Sequence, residues 1–324
     1  MHFHGLLPYN AAMDGKAQFR QAFLERLGTP LSENVPLSAM SSFGIGGPAD
    51  FFFEARTEDD LKKAIGLAAR EKFPCYVIGG GTNILFDDAG YRGLIIRVRL
   101  EGIVREEGRL RVMAGTQLAA VVKEALGSGL AGLEFLAGIP GTLGGAVCGN
   151  AGAFGASIGE RVAWATLLSP GGVQTTVGRE SLAFGYRTSA LKQKSAVVLS
   201  AVLLCSPGNM LTSEAKVRDI LERRKSKQPP WGTPSAGSYF KNPCSTTGVK
   251  TAAGYLIEQA GGKGLAVGDA AVYDAHCNFI YNRGNARSAD VLRLAGELKE
   301  MVFRTFGIRL EEEVIHLRED ASMI

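Results

Sequence analysis

"PCYVIGGGTNILF", residues 74–86, decides how the first part of the chain folds. Cys75 to Ile78 is a short, branched, apolar run of the kind that makes a buried strand. It ends abruptly in Gly79, Gly80 and Gly81, and an apolar run resumes at Ile84. Three glycines after a strand leave no side chain to block a close approach, and their amides can converge on an anion. The stretch matches neither GxGxxG nor GxxxxGK[ST], so the dinucleotide fingerprint and the P-loop are poorly supported. Taken alone it is equally a binding loop and a tight turn.

Outward from this strand, the chain alternates strand and helix. Upstream, residues 16–27 space Phe19, Phe23 and Leu27 four apart, as an amphipathic helix does. Phe51–Phe53 reads as a strand, and Thr57 with Asp60 resembles a capping box for the helix that follows. Downstream, "GLIIRV" and "RLRVMAG" read as strands, with Thr116 as the cap of a helix over 117–127. Strands are expected at 162–168, 173–177 and 196–205. A helix over about 212–226 must stop at Pro229 and Pro230. Beyond lie a short helix at 252–260, strand-like pieces near 266–281 and a long helix from Ser288 to about 306. The run "IRLEEEVIHL", 308–317, reads as a closing strand.

Bulk properties bound the function. The 324 residues suffice for two or three domains, and 46% hydrophobic with 21% charged residues is ordinary for a globular chain. A net charge of +4 argues against nucleic acid as a partner without hindering a small anion. Five scattered cysteines with no CxxC pair point to a reducing cytoplasm and to no metal site. The His2–His4 pair is read as a frayed end. There is no apolar run of about 18 residues, so no membrane span is expected. The start has no basic leader followed by an apolar core, which again favours the cytoplasm.

Four further stretches carry chemistry. "GIPGTLGGAVCGNAGAFG", 138–155, is glycine-dense, with Pro140, Thr142 and Asn150 among the glycines. Ordering such a segment costs about 1–2 kcal/mol per residue, which favours a cofactor site over a bare surface loop. "FGYRTSALK", 184–192, sets Tyr186 beside Arg187, with Lys192 five residues on. A guanidinium suits a carboxylate or enolate, but a surface arginine at a strand end reads equally well. "TPSAGSYFKNP", 233–243, crowds Ser238, Tyr239, Lys241 and Asn242 onto a loop. In "RLEEEVIHL", 309–317, alternation puts Glu311 and Glu313 on one face, and a solvated edge strand is the default reading.

Read together and in order, "SSFGIGGPADFF", "VIGGGTNILF", "GIPGTLGGAVCGNAGAFG", "FGYRTSALK", "PSAGSYFKNP", "AGYLIEQAGGKG" and "LEEEVIHL" resemble the UDP-N-acetylenolpyruvoylglucosamine reductases over about residues 34–317. The resemblance implies an α+β flavoprotein of the vanillyl-alcohol-oxidase/PCMH type. It implies an extension over 1–33, FAD-binding subdomains over 34–100 and 101–228, and a substrate domain over 229–324. FAD would be held by Ser42, Phe43, Gly79, Gly80, Gly81, Thr82, Asn83, Ile84 and Leu85. Ile139, Pro140, Gly141, Thr142, Gly144, Gly145, Asn150 and Ala151 would complete its site. Ser238, Arg187 and Glu313 match the family's catalytic positions, and Tyr186, Lys241, Asn242, His276 and Asn278 would lie near substrate.

The activity so implied is NADPH-dependent reduction of UDP-N-acetylglucosamine enolpyruvate to UDP-N-acetylmuramate, for peptidoglycan and hence cell shape and division. A cytoplasmic monomer is expected. The short span 188–237 between Arg187 and Ser238 resembles the subclass that lacks an inserted crossover. Two other readings stand beside it: an oxidising flavoenzyme of the same fold, and a flavin or nucleotide-sugar sensor without turnover. An oxidase needs a base where Ser238 offers an acid. A raised pKa at Glu313 is expected if Glu311 is buried with it.

Overall fold

The computed structural model describes residues 2–3, 13–193, 195–244 and 250–320, so His4 lies outside the described residues. The chain divides into two compact units. The first comprises 1–35, 49–80 and 92–222, and the second 36–48, 81–91 and 223–324. The fold is α+β, and the segments 36–48 and 81–91 leave the sequence order to join the second unit.

In the first unit, a five-stranded sheet runs in the order His2–Phe3, Cys75–Ile78, Tyr91–Val98, Pro48–Ala55, Ser32–Pro36. Cys75–Ile78 pairs in parallel with the Tyr91–Val98 strand, and both are buried almost throughout apart from Arg92 and Arg97, as a covered parallel pair requires. Helices α1 (Met13–Leu27) and α2 (Glu58–Arg70) supply its cover. Phe19 of α1 stacks on Phe73 with ring centres 3.9 Å apart, and Phe23 meets Phe53 edge-on at 5.1 Å. Thr57 caps α2 by accepting the Asp60 N–H, as its spacing predicts. The helix ends in a left-handed residue, Lys72 at φ +51°, with Phe73 N–H donating to Ala68 O and Lys72 N–H to Ala69 O. That is the double bond of a Schellman ending, at a position usually given to glycine.

A second, antiparallel sheet of the same unit runs Gln174–Gly178, Val162–Leu168, Val197–Leu204, Arg109–Met113, Ile103–Glu106. Helices α3 (Leu118–Gly127) and α4 (Leu143–Gly149) belong to this part of the chain. Thr116 does not cap α3. The helix starts one residue later, after Gln117, and the Thr116 hydroxyl instead bonds the N–H and C=O of Gly102. Helix α5 (Met210–Lys227) stops short of Pro229, as expected.

The second unit holds the antiparallel sheet Ser235–Ser238, Phe279–Asn282, Ala270–Val272, Ala266–Val267, with helices α6 (Ala253–Gln259) and α7 (Ser288–Phe306). The buried stripe Val291, Leu294, Ala295, Leu298 and Val302 of α7 meets its core at helical spacing. A separate parallel pair joins Ile84–Phe86 to Ile315–Leu317. Only these last three residues of the 308–317 run form a strand. At 311–313 the backbone instead bonds the short loop 239–241, with Lys241 N–H on Glu311 O and Glu313 N–H on Tyr239 O. Among the described residues, no helix is long and apolar enough to cross a membrane.

Candidate active site

In the first unit, the strand Cys75–Ile78 delivers Gly79 against Thr142. A side chain at Gly79 would collide with the Thr142 hydroxyl, so the close approach itself demands glycine. Thr142 begins α4 without capping it, and its Oγ1 is buried with no hydrogen-bond partner. A buried hydroxyl without a partner costs about 1–3 kcal/mol unless a ligand or water completes it, so it marks a place for a polar guest. Gly144 has a different cause: a Cβ there would press on Ala114 at 3.1 Å. Gly145 is exposed, and a Cβ there would meet only Thr142 Oγ1, at 3.8 Å. The protein itself has no steric need for glycine at 145. Ile139 is partly buried against the apolar core, and Gly141 adopts φ +121°.

Asn150 closes α4 in the left-handed region at φ +47°. It is buried, its Oδ1 accepts the Gly159 N–H at 2.9 Å, and its Nδ2 donates to Gly185 O at 2.7 Å. Its amide thus ties the glycine-dense segment to the Arg187 turn. Ala151 belongs to the same knot, its N–H donating to Ala146 O and its carbonyl accepting the Ile158 N–H. Gly185 and Thr188 exchange both backbone hydrogen bonds, and Arg187 inside that turn stands at φ +56°. A non-glycine residue held there stores about 1–3 kcal/mol of strain. Its Nη1 donates to Gly152 O at 2.8 Å, and its guanidinium carbon lies 5.8 Å from the exposed Tyr186 ring.

In the second unit the loop continues at Gly81, which at φ +64° turns so tightly that a Cβ would strike Met40 O. Ser42 N–H donates to Gly81 O at 3.0 Å, and Ser42 Oγ to Ser235 O at 2.7 Å. Phe43 is wholly buried, so it offers only its backbone. Ile84 and Leu85 are strand residues with buried side chains. Asn83 bonds the far end of the chain twice: its Nδ2 donates to Glu313 O at 3.0 Å, and its O accepts Ile315 N–H at 3.1 Å.

Ser238 ends the strand Ser235–Ser238, opposite Phe279. The register slips between Ser235 and Ser238, and Gly237 at φ +77° makes that bulge. A bulge re-aims the side chain that follows, and here that is Ser238, partly exposed. Tyr239 behind it is buried, its hydroxyl pKa pushed up by burial and by Glu312. Its carbonyl accepts the Glu313 N–H at 2.8 Å, so Ser238 and Glu313 flank one backbone hydrogen bond. Arg187 belongs to the first unit.

Glu311 is exposed and pairs with Lys241 Nζ at 3.0 Å, and Glu312 pairs with Lys299 at 2.8 Å. The condition set for a raised Glu313 pKa, a buried Glu311, is not met. Asn278 is buried with both amide atoms on Phe240, accepting its N–H at 2.9 Å and donating to its O at 2.8 Å. It holds the Ser238 loop from behind. Asn242 Oδ1 accepts the Ala253 N–H at the start of α6. The His276 pKa is lowered by burial, opposed by its own backbone hydrogen bond, with Lys227 lowering it further. Its Nδ1 is buried without a partner. Sequence reasoning missed the bulge at Gly237 and the second use of Asn83. The glycine before Ser238 was the only local signal for the first.

Comparisons with known proteins converge on one family. Residues 49–178 match the profile of an FAD binding domain, and 228–317 that of the UDP-N-acetylenolpyruvoylglucosamine reductase C-terminal domain. A UDP-N-acetylenolpyruvoylglucosamine reductase of Clostridium botulinum (strain Eklund 17B / Type B) is 37% identical, over 90% of this chain and 94% of its own. One of Geotalea uraniireducens is 40% identical, over 91% and 96% respectively. A crystal structure of UDP-N-acetylenolpyruvylglucosamine reductase from Thermus caldophilus is similar with a TM-score of 0.75 at 34% identity, covering 88% of this chain and 99% of that one.

Proposed function

The chain belongs to the UDP-N-acetylenolpyruvoylglucosamine reductase family, an oxidoreductase family, and we propose that it reduces UDP-N-acetylglucosamine enolpyruvate to UDP-N-acetylmuramate with electrons from NADPH. The observation that carries this reading is the Glu313 N–H bond to Tyr239 O, which brings the Glu313 backbone to the residue after Ser238. Saturating an enol ether takes an acid for one carbon and fixed donors for the adjoining carboxylate, and the Ser238 hydroxyl is the residue type for the first.

FAD fits the first unit's residues, with the unpartnered Thr142 hydroxyl and the side-chain-free Gly79 and Gly145 as its seat, and when bound it supplies the two-electron transfer from NADPH to the β-carbon of the enolpyruvyl group. Negative charge then develops at the α-carbon and spreads into a carboxylate that is already anionic. Arg187 is the group we assign to that charge, with a permanent, planar set of donors, and Glu313 keeps its assigned place beside the Ser238 loop. Both are held before substrate arrives, Arg187 by its strained turn and Glu313 by Asn83 and Tyr239. Ser238 Oγ gives its proton to the α-carbon, because an enolate is basic enough to take one from a hydroxyl. Water then returns a proton to the serine. His276, with its pKa lowered by burial, and Tyr186 are proposed contacts of the sugar nucleotide. Lys241 steadies the loop through Glu311. The five free cysteines suit a reducing cytoplasm, where we place the enzyme in peptidoglycan synthesis.

Anaerobic mixing of the FAD-loaded protein with NADPH should bleach the flavin's visible absorbance, and the enolpyruvyl sugar should restore it. Bleaching without recovery would refute the reductase reading. Ser238→Ala should leave the bleaching step nearly intact and slow the recovery by about 10²–10⁴-fold. Equal loss in both steps would make Ser238 structural.

A further inference from the structure

The turn that carries Arg187 is gripped at both ends by side chains to which the reaction assigns no step. A left-handed backbone at a residue that is not glycine persists only where its surroundings over-determine it. Around Arg187 they do. Asn150 Nδ2 donates to Gly185 O at the start of the turn, and Lys192 Nζ donates to the carbonyl of Arg187 itself at 2.8 Å. Both anchors are themselves placed. Asn150 is buried, with its other amide atom on Gly159. Lys192 sits in the single helical turn Ala190–Lys192, which Ser189 caps by accepting the Leu191 N–H. Ser189 is buried too, its Oγ donating at 2.7 Å to the carbonyl of Cys148, two residues before Asn150. The Lys192 bond runs from a charged donor, which makes it stronger than a neutral one.

We propose that Asn150 and Lys192 are positioning residues for Arg187, locking the Gly185–Thr188 turn so that the guanidinium stands ready before substrate binds. The proposal rests on the reading of Arg187 as the group that meets the developing carboxylate charge. Donors that need no reorganisation stabilise a transition state most. A relaxed turn would let Arg187 slide back toward right-handed backbone, swinging its side chain off the Gly152 carbonyl. Asn150 then acts through the arginine, whatever contact it also makes with a cofactor.

The test is a double-mutant cycle in the FAD-loaded enzyme, reading flavin reduction by NADPH and reoxidation by the enolpyruvyl sugar separately. Lys192→Met should slow reoxidation by about 10- to 100-fold, the scale of a misplaced catalytic group, and leave the reduction step unaltered. Lys192→Arg should recover most of the loss. In an Arg187→Ala background, Lys192→Met should cause no further slowing. Asn150→Asp, which keeps the acceptor for Gly159 and removes the donor to Gly185, should slow reoxidation likewise and lose that effect in the Arg187→Ala background, whatever it does to the reduction step. If that variant fails to fold, the Lys192 cycle decides. The proposal is overturned if Lys192→Met slows reoxidation equally in both backgrounds, or has no effect with Arg187 present. Should Arg187→Ala alone leave reoxidation at full rate, the assigned role of Arg187 falls and the proposal with it. A slow Arg187→Ala enzyme without coupling to Lys192 removes only the positioning claim.

Discussion

The side-chain amide of Asn83 donates to the main-chain oxygen of Glu313 at 3.0 Å, across 230 residues of sequence. The Asn83 carbonyl takes the Ile315 N–H, so the last residue of the glycine loop brackets Glu313 from both sides. A residue expected to serve the cofactor therefore also fixes the backbone around Glu313. Asn83→Asp removes the donor and puts a charge beside a carbonyl. It should lower unfolding free energy by about 1–3 kcal/mol and slow substrate-driven flavin reoxidation more than reduction by NADPH. Denaturant melts with stopped-flow traces of both steps check this. Equal slowing of the two would argue against a hold on Glu313.

Gly145 separates the needs of the protein from those of its cofactor. A methyl there has room and would favour helix, so Gly145→Ala should stabilise the FAD-free protein by about 0.5–1 kcal/mol. If the flavin lies against Gly145, the same methyl should weaken FAD binding by about tenfold or more, a loss of at least one factor of RT ln 10. Thermal melts of apoprotein and FAD titrations read the two effects independently. Unimpaired FAD binding would move the cofactor off this residue.

Lys72 offers a purely conformational prediction. It is exposed and left-handed at the end of α2, where glycine has no steric penalty. Lys72→Gly should raise stability by about 0.5–1 kcal/mol without changing either flavin step. A destabilised variant would mean that the lysine side chain contributes more than its backbone costs.

Two histidines set a pH dependence. His276 and His316 both have pKa values below the ordinary 6.5, chiefly through burial. Lys227 adds to the lowering at His276, and Asp87 opposes it at His316. The unfolded chain therefore binds protons that the folded chain does not once the pH falls below that ordinary value. Stability should be full above it and decline as acid is added, from about pH 7 toward pH 5. Exchanging both histidines for glutamine should flatten that part of the profile, measured as urea midpoints across the range. An unchanged slope would assign the decline to carboxylates.

Much of the architecture is written locally. Residues 288–306 form α7 because their apolar positions recur at helical spacing, and α5 halts where Pro229 and Pro230 forbid another turn. Thr57 caps α2 for reasons confined to four residues. Thr116 looks the same in sequence and does something else, because Gly102 lies within reach of its hydroxyl. The run 308–317 alternates like a strand, yet only its end, Ile315–Leu317, pairs as one, with Ile84–Phe86, residues far away in the chain. For the candidate site, the glycine segments and the Ser238 loop stand out by composition. The tasks of Asn150, Asn278 and Asn83 do not, since each amide is defined by a backbone group far along the chain. The grouping of residues 36–48 and 81–91 with the second unit has the same origin.

The parallel pairing of Ile84–Phe86 with Ile315–Leu317 bears on how the protein is made. During synthesis, the strand following the glycine loop must wait for some 230 more residues to leave the ribosome before this partner exists. Until then the half of the loop that begins at Gly81 lacks the strand that pins it. This pairing is thus completed only when nearly the whole chain has been made, and a chain stalled before Ile315 should leave the loop from Gly81 onward open to protease.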